Sequence, residues 1–319
     1  MQKQELESYI KAGGIAKKVK TYAKEIIKPG MILLEIAEKI DNKIADLGAT
    51  PAFPVNLSLN EVAAHFTPVP GDETVAEGIL KVDLGVAVDG FIADTAFSVD
   101  LTEDKRFSAA ARGIPSQKGT DVPSSSGMIE LNEEILAEAT KTVRAGMMVK
   151  DVGDAVQDTL EKWNEKNDTS FAVIKSLSGH ALGKNTIHAG LTISNYRNDN
   201  KAVIDDMAFA IEPFVTTGAG DIYEGPVGGI YVLQKDGQVR DADARKVLSF
   251  VKENYKTRPF CRRWLEKEGF RKLGYVLSSL VKQGILHEYP LLIEKSKGPV
   301  SQCENTFVIS DNRVVRTTE

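Results

Sequence analysis

The chain has 319 residues, 42% of them apolar and 27% charged, with forty basic against forty-five acidic side chains and a formal charge of −5. That composition fits one large globular domain or two ordinary ones, and it excludes a global field demanding a nucleic-acid or membrane partner. Only Cys261 and Cys303 are present, so a disulfide framework is excluded; no signal-like apolar run opens the sequence and none reaches the roughly 18 residues of a membrane span, so a cytoplasmic protein is expected.

Leu6, Tyr9, Ile10, Ile15, Ala16, Val19, Tyr22, Ala23, Ile26 and Ile27 carry helical spacing over 5–28, which Pro29-Gly30 ends. Ile36, Ala37, Ile40, Ile44 and Leu47 mark a second helix. The segment IIKPGMILLEIAEKI (26–40) aligns with TVRAGMMVKDVGDAV (142–156) at a constant offset of 116, matching Gly30 to Gly146, Ile36 to Val152 and Glu35 to Asp151. Because the match includes the turn as well as the apolar face, it predicts an internal duplication: two α+β halves related by a pseudo-twofold, with a site where they meet.

Between the two copies, ILKVDLGVAVDGFIADTAFSVDL (79–101) alternates apolar and polar residues around Asp89-Gly90, the signature of a two-residue hairpin turn. Pairing Val88 with Phe91 places Gly85 opposite Asp94 and Asp83 opposite Ala96. Asp83 and Asp94 then share one face as diagonal neighbours, roughly 7–8 Å apart, with Gly85 leaving room between them. Two carboxylates aimed into one space repel unless a proton or cation lies there; a solvated polar face is the alternative. Ser108–Gly127, small, polar and punctuated by Pro and Gly, reads as a flexible loop insertion over 108–127.

The second half holds the remaining candidates. His180 and His188 lie in SGHALGKNTIHAG, beside His65 in NEVAAHFTP and His287 in ILHEYP. MAFAIEPF puts Glu212 at the end of an apolar strand stopped by Pro213, and SQCENTFVIS puts Glu304 within another. A carboxylate in an apolar strand is costly to bury unless paired or bound to a metal. Two Asp, one His and two Glu drawn from both halves suit a pair of divalent first-row ions, which together polarise a carbonyl and activate a bridging water. Residues 245–282 have helical spacing and carry eleven Lys/Arg against three Asp/Glu, as solvated basic faces would.

In order along the chain, VDLG with Asp83, IADTAFSV with Asp94, GHALGKNTIHAG with His180, FAIEPF with Glu212 and QCENT with Glu304 resemble the methionine aminopeptidases. PAFPVNLSLNEVAAHFTP (51–68) resembles the family's substrate-side segment. The 91 residues between Glu212 and Glu304 resemble the helical insertion of the archaeal-like type 2 branch. The resemblance implies a pseudo-twofold pita-bread α+β fold over 1–319, with a curved antiparallel sheet, outer helices and a type 2 helical insertion at 240–290. It implies two divalent ions (Co, Mn, Fe or Zn), with Asp83 and Asp94 chelating one. Asp94 is then shared with the second, which His180 and Glu212 complete, and Glu304 bridges both. Glu212 would also move the proton of the attacking water, His65 and His188 would hold the substrate amide and its developing oxyanion, and Phe53, Ile187 and Tyr289 would line the methionine pocket.

The implied activity is removal of the initiator methionine from nascent polypeptides with a small second residue, by a monomer working near the ribosome and away from membranes. A proline-specific peptidase of the same fold is one alternative, although only 82 residues precede Asp83. A non-catalytic nucleic-acid- or ribosome-binding relative is another, although such relatives lack ligands that are all present here. Three departures stand out: the charged N-terminal extension of eukaryotic type 2 enzymes is missing, Pro299 and Cys303 replace expected residues beside Glu304, and the 108–127 segment interrupts a strand-to-helix connection.

Overall fold

A computed structural model describes residues 1–102 and 125–319. Helix α1 (Lys3–Ile26) buries Ala12, Ala16, Val19 and Ala23, and α2 (Leu33–Asp46) buries Leu33, Ile36, Ile40 and Ile44. Both pack on a three-stranded sheet in the order β1-β3-β4, built from β1 (Thr50–Leu59), β3 (Ile79–Val88) and β4 (Phe91–Asp100); β2 (Val62–Ala64) belongs to another sheet. Each fully buried Ile or Leu in this layer removes enough apolar surface from water to contribute about 1.5–3 kcal/mol.

The duplication appears at the level of individual hydrogen bonds. Helix α3 (Ser125–Lys141) leads through Gly146 into the short strand β5 (Met147–Met148) and α4 (Val149–Asn167). Gly30 and Gly146 both take the left-handed backbone that glycine tolerates, with φ of 81° and 71°. Leu33 opens α2 and Val149 opens α4, again 116 residues apart. Ile32 bridges Val75 and Met148 bridges Val203, both antiparallel; Leu33 N–H donates to Thr74 O at 2.8 Å and Val149 N–H to Ala202 O at 3.0 Å. Of the predicted 108–127 loop, residues 108–124 lie outside the described residues. Residues 125–127 are not loop but the start of α3.

In the second half, α3 and α4 cover a core that includes Val152, Val156, Phe209 and Phe307. Two antiparallel sheets run there. The first, in the order β17-β16-β10-β7-β8, joins β7 (Gly179–Leu182), β8 (Thr192–Ile193), β10 (Ala208–Ile211), β16 (Asn305–Ser310) and β17 (Arg313–Arg316). The second, β15-β11-β6, joins β6 (Ala172–Val173), β11 (Phe214–Thr216) and β15 (Val300–Gln302), while β9 (Val203–Ile204) pairs with β5. A third core lies between helices α5 (Ala242–Asn254), α6 (Arg262–Lys267) and α7 (Leu273–Lys282) and the sheet β13-β12-β14-β2, in which β12 (Ile222–Leu233), β13 (Phe260–Cys261) and β14 (Leu286–Glu294) join β2.

The basic segment is not wholly a solvated face. Arg258 and Arg263 are 8% and 2% exposed. Arg258 reaches Thr50 Oγ1 and Pro51 O at 3.0 and 2.9 Å, and Arg263 pairs with Asp41 of α2 at 3.0 Å. Spacing along a helix identifies a charged face but not the carbonyls and carboxylate that meet it from other elements. Among the described residues no helix is long and apolar enough to cross a membrane.

Candidate metal centre

The β3–β4 hairpin has the expected register: Val88 opposite Phe91, Gly85 opposite Asp94 and Asp83 opposite Ala96. Asp89 and Gly90 both have positive φ, 53° and 86°, as the turn type with matching right-handed twist requires. Gly85, however, does not make room between the carboxylates. A Cβ there would lie 2.3 Å from Cε1 of Phe53 and 2.9 Å from Cβ of Ala52, so its bareness admits the Phe53 ring from β1.

Glu212 and Glu304 come together through one continuous antiparallel register. Ala208 pairs with Val308 and Ile211 with Asn305, and beyond a break Phe214 pairs with Gln302; the same alignment puts Glu212 opposite Glu304. Glu304 is therefore not inside a strand. It occupies the junction between β15 and β16, where its backbone bridges Ala96 of β4. Here the two halves are joined by hydroxyls as well as backbone. Thr95 Oγ1 donates to Glu304 O at 2.8 Å, Ser98 Oγ donates to Gln302 O at 2.9 Å, and Thr306 Oγ1 accepts from Asp94 N–H and donates to Asp94 O, both at 2.8 Å.

His180 stands on β7 beside this seam. Gly179 before it lies so close to β10 that an added Cβ would be 2.2 Å from Ala210 O. Backbone cannot yield as a side-chain tip can. Gly179→Ala should therefore cost about 1–3 kcal/mol by overpacking, a loss of roughly 2–4 °C in Tm per kcal/mol. A melting curve that matches wild type would show that the two strands can separate freely.

One oxygen or nitrogen from each of Asp94, His180 and Glu304 lies within 4.8 Å of the others. His180 Nε2 is 3.3 Å from Glu212 Oε1 and 3.8 Å from Asp94 Oδ2. The His180 Nδ1 contacts Ala181 O at 3.4 Å; donating there leaves the Nε2 lone pair facing the carboxylates, the orientation a metal-binding imidazole needs. Asp83 joins through Gln302, whose Nε2 donates to Asp83 Oδ2 at 3.4 Å and Glu212 Oε2 at 3.5 Å. Asp83 Oδ1, Asp94 Oδ1 and Glu304 Oε1 are buried without a hydrogen-bond partner among the described residues.

The electrostatics follow from this crowding. Burial, then the charges of neighbouring carboxylates, pushes the Asp83 carboxyl up to about 7 and holds Asp94 and Glu304 well above the ordinary carboxylate range. Burial opposes a charged His180, but the Glu212 carboxylate outweighs it and raises the imidazole. His188 is pushed down to about 4, mainly by desolvation within the cavity and next by His180, and burial lowers His65. Lone pairs without donors and a cavity lining without Lys or Arg, both among the described residues, together with borderline and hard ligand atoms fit a bound divalent cation.

Asp83, Asp94, His180 and Glu212 open onto a cavity of about 250 Å³ whose walls include His65, His188, Phe53, Ile187 and Tyr289, so nine of the ten expected site residues line one space. Glu304, the tenth, lies behind in contact with Asp94. His180 and His188 meet edge to face at 4.5 Å, and Tyr289 packs on His65 at 5.2 Å. His287 is not among the cavity-lining residues; its ring meets Tyr289 edge to face at 5.0 Å.

Asn56 and Gln302 escaped the sequence reading. Asn56 lines the cavity and its Oδ1 accepts the His65 N–H at 2.7 Å. Gln302, two residues before Glu304 in QCENT, was the more legible, since alternate residues of a strand share a face. No comparable spacing signals Asn56, whose partner is nine residues away across a turn.

The metallopeptidase family M24 model matches residues 7–247. The chain is 44% identical to a methionine aminopeptidase of Pyrococcus horikoshii over 322 residues, covering 99% of this chain and 100% of that one. It is 32% identical to methionine aminopeptidase 2 of Lodderomyces elongisporus over 323 residues, covering 96% of this chain and 64% of that one. A solved structure of a thermophilic Arx1 superposes with a TM-score of 0.77 over 99% of this chain and 91% of that one; at 17% identity it shows the fold alone. With duplicated halves, antiparallel sheets and a carboxylate–histidine cluster on the seam between them, the chain belongs to metallopeptidase family M24 and has its pita-bread fold.

Proposed function

We propose that this protein is a type 2, archaeal-like methionine aminopeptidase that takes the initiator methionine from polypeptides with a small second residue. The observation that carries the reading is the close cluster of Asp94, His180 and Glu304, which Glu212 joins at His180 and Asp83 through Gln302, with three of the carboxylate oxygens buried and unpartnered among the described residues. Together they would hold two divalent ions, of Co, Mn, Fe or Zn. Such ions, when bound, polarise the scissile carbonyl and lower the pKa of a water.

The chain's own residues do the rest. Glu212 accepts the proton of the attacking water and delivers it to the leaving amine. His65 has its Nδ1 within 3.1 Å of Pro290 O, so Nδ1 carries the hydrogen and Nε2 offers a lone pair to a substrate amide. His188, neutral at physiological pH, stands across the cavity to stabilise the developing oxyanion. Phe53, Ile187 and Tyr289 enclose an unbranched thioether, leaving little space beside the two histidines for the next side chain.

Residues 240–290 form the helical insertion subdomain in this reading, with the core described above and Pro259 reaching the cavity wall. In this reading the protein is a cytoplasmic monomer meeting nascent chains near the ribosome; its two free, buried thiols bear only on the compartment, which a reducing one suits.

Metal-reconstituted protein offered Met-Ala-, Leu-Ala- and Ala-Pro-starting peptides tests this. Free methionine should be released from the first alone, and faster when Gly, Ala or Ser is second than when Lys, Glu or Phe is. Cleavage of the Ala-Pro peptide would favour a proline-specific peptidase. No hydrolysis with any of the four metals would favour a binding protein.

A further inference from the structure

His65 is held in an unusual backbone conformation. Its φ is 72°, in the left-handed region that a non-glycine residue occupies only when its surroundings impose it. Asn56 takes the His65 N–H, Pro290 O takes the ring Nδ1, and Gly228 lies so close that a Cβ there would be 1.9 Å from His65 O. Two residues later the chain meets Arg263, which is 2% exposed on α6. One guanidinium nitrogen, Nη1, donates to Thr67 Oγ1 at 2.9 Å and Pro68 O at 2.8 Å, while Nη2 donates to Asp41 Oδ2 at 3.0 Å. The same Asp41 oxygen accepts the Trp264 indole N–H at 2.8 Å. Thr67 in turn donates from Oγ1 to Val55 O at 2.9 Å and from N–H to Gly228 O at 3.1 Å.

We propose that Arg263 is a positioning residue for His65: its buried fork fixes Thr67 and Pro68 against α2, and so holds His65 in the one backbone conformation that aims its ring into the cavity. This rests on the reading of His65 as a substrate-holding residue. The fork is what matters. A lysine could keep the charge beside Asp41, but a single ammonium cannot reproduce the planar set of bonds to Thr67, Pro68 and Asp41. The helical segment thereby acts on the substrate from outside the cavity, since Arg263 is not among its lining residues.

The test is a double-mutant cycle at equal metal content, with kcat/KM read on a Met-Ala peptide. Arg263→Lys should lose tenfold or more on the wild-type background and less than twofold on the His65→Ala background, because a positioning residue has nothing left to position. Imidazole ¹⁵N spectra of the metal-free protein give a second readout that needs no turnover. In wild type, His65 should be the Nδ1-protonated tautomer, and Arg263→Lys should turn it into a mixture. Thr67→Val, which removes the acceptor but keeps the Arg263–Asp41 pair, should act in the same direction if the lysine variant does not fold. Wild-type kcat/KM and an unchanged His65 spectrum in a folded variant would overturn the proposal, as would a loss that multiplies in full onto His65→Ala. If His65→Ala itself has wild-type activity, the role given to His65 fails, an outcome separate from failure of Arg263 alone.

Discussion

Glu212→Gln should lower kcat on a Met-Ala peptide by at least about 10²-fold, the scale of a lost general base. The substitution keeps the side chain's length and its contact with Gln302, yet removes the negative charge 3.3 Å from His180 Nε2 and the carboxylate lone pair assigned to take the proton from water. His188→Ala should also slow turnover, but through a different loss. Its ring meets His180 edge to face, and among the described residues no carboxylate lies within 4 Å of its nitrogens, whereas His180 Nε2 has Glu212 at 3.3 Å and Asp94 at 3.8 Å. Metal content measured on both variants therefore divides the two roles. His188→Ala should bind metal as wild type does; protein that leaves purification stripped of metal would show that the division between ligands and substrate-holding histidines is wrong.

How far the sequence reveals this site depends on whether a contact is made within one element or between several. The Asp83/Asp94 pair is legible because a two-residue turn at Asp89-Gly90 sets the register of every residue in the hairpin. The paired helices are legible because apolar spacing and the Gly30 and Gly146 turns recur at one offset. Contacts between elements are not legible in that way. The place of Gly85 against Phe53, the break of the strand at Glu304, and the burial of Arg258 and Arg263 all depend on which segment arrives from elsewhere. Strands β5 to β11, two to four residues long, are too short for alternation to register. The ligand types still stood out because an acid beside apolar strand residues conflicts with burial unless something compensates it.

The second large effect is on stability. In metal-free protein the carboxyls of Asp83, Asp94 and Glu304 are raised, Asp83 to about 7, against ordinary values near 4 in the unfolded chain. The sign is the reverse of the usual acidic case. These groups favour the folded state while they are protonated. Their contribution is full below about pH 4 and is lost as pH rises toward 7 and beyond. For Asp83 ionising alone, the displacement is worth roughly 4 kcal/mol. A divalent ion replaces the protons and removes the repulsion, so metal-loaded protein should escape this loss. The gap in Tm between protein with saturating Mn²⁺ and protein in chelator should then widen from pH 5 to pH 8. At roughly 2–4 °C per kcal/mol for a chain of this size, the widening should be about 5 °C or more. Asp83→Asn, which cannot ionise, should flatten the chelator arm of that comparison and weaken metal binding together. A gap that stays constant with pH in wild type would mean that the carboxylates reach the folded state already compensated, and that something other than a cation balances the seam between the two halves.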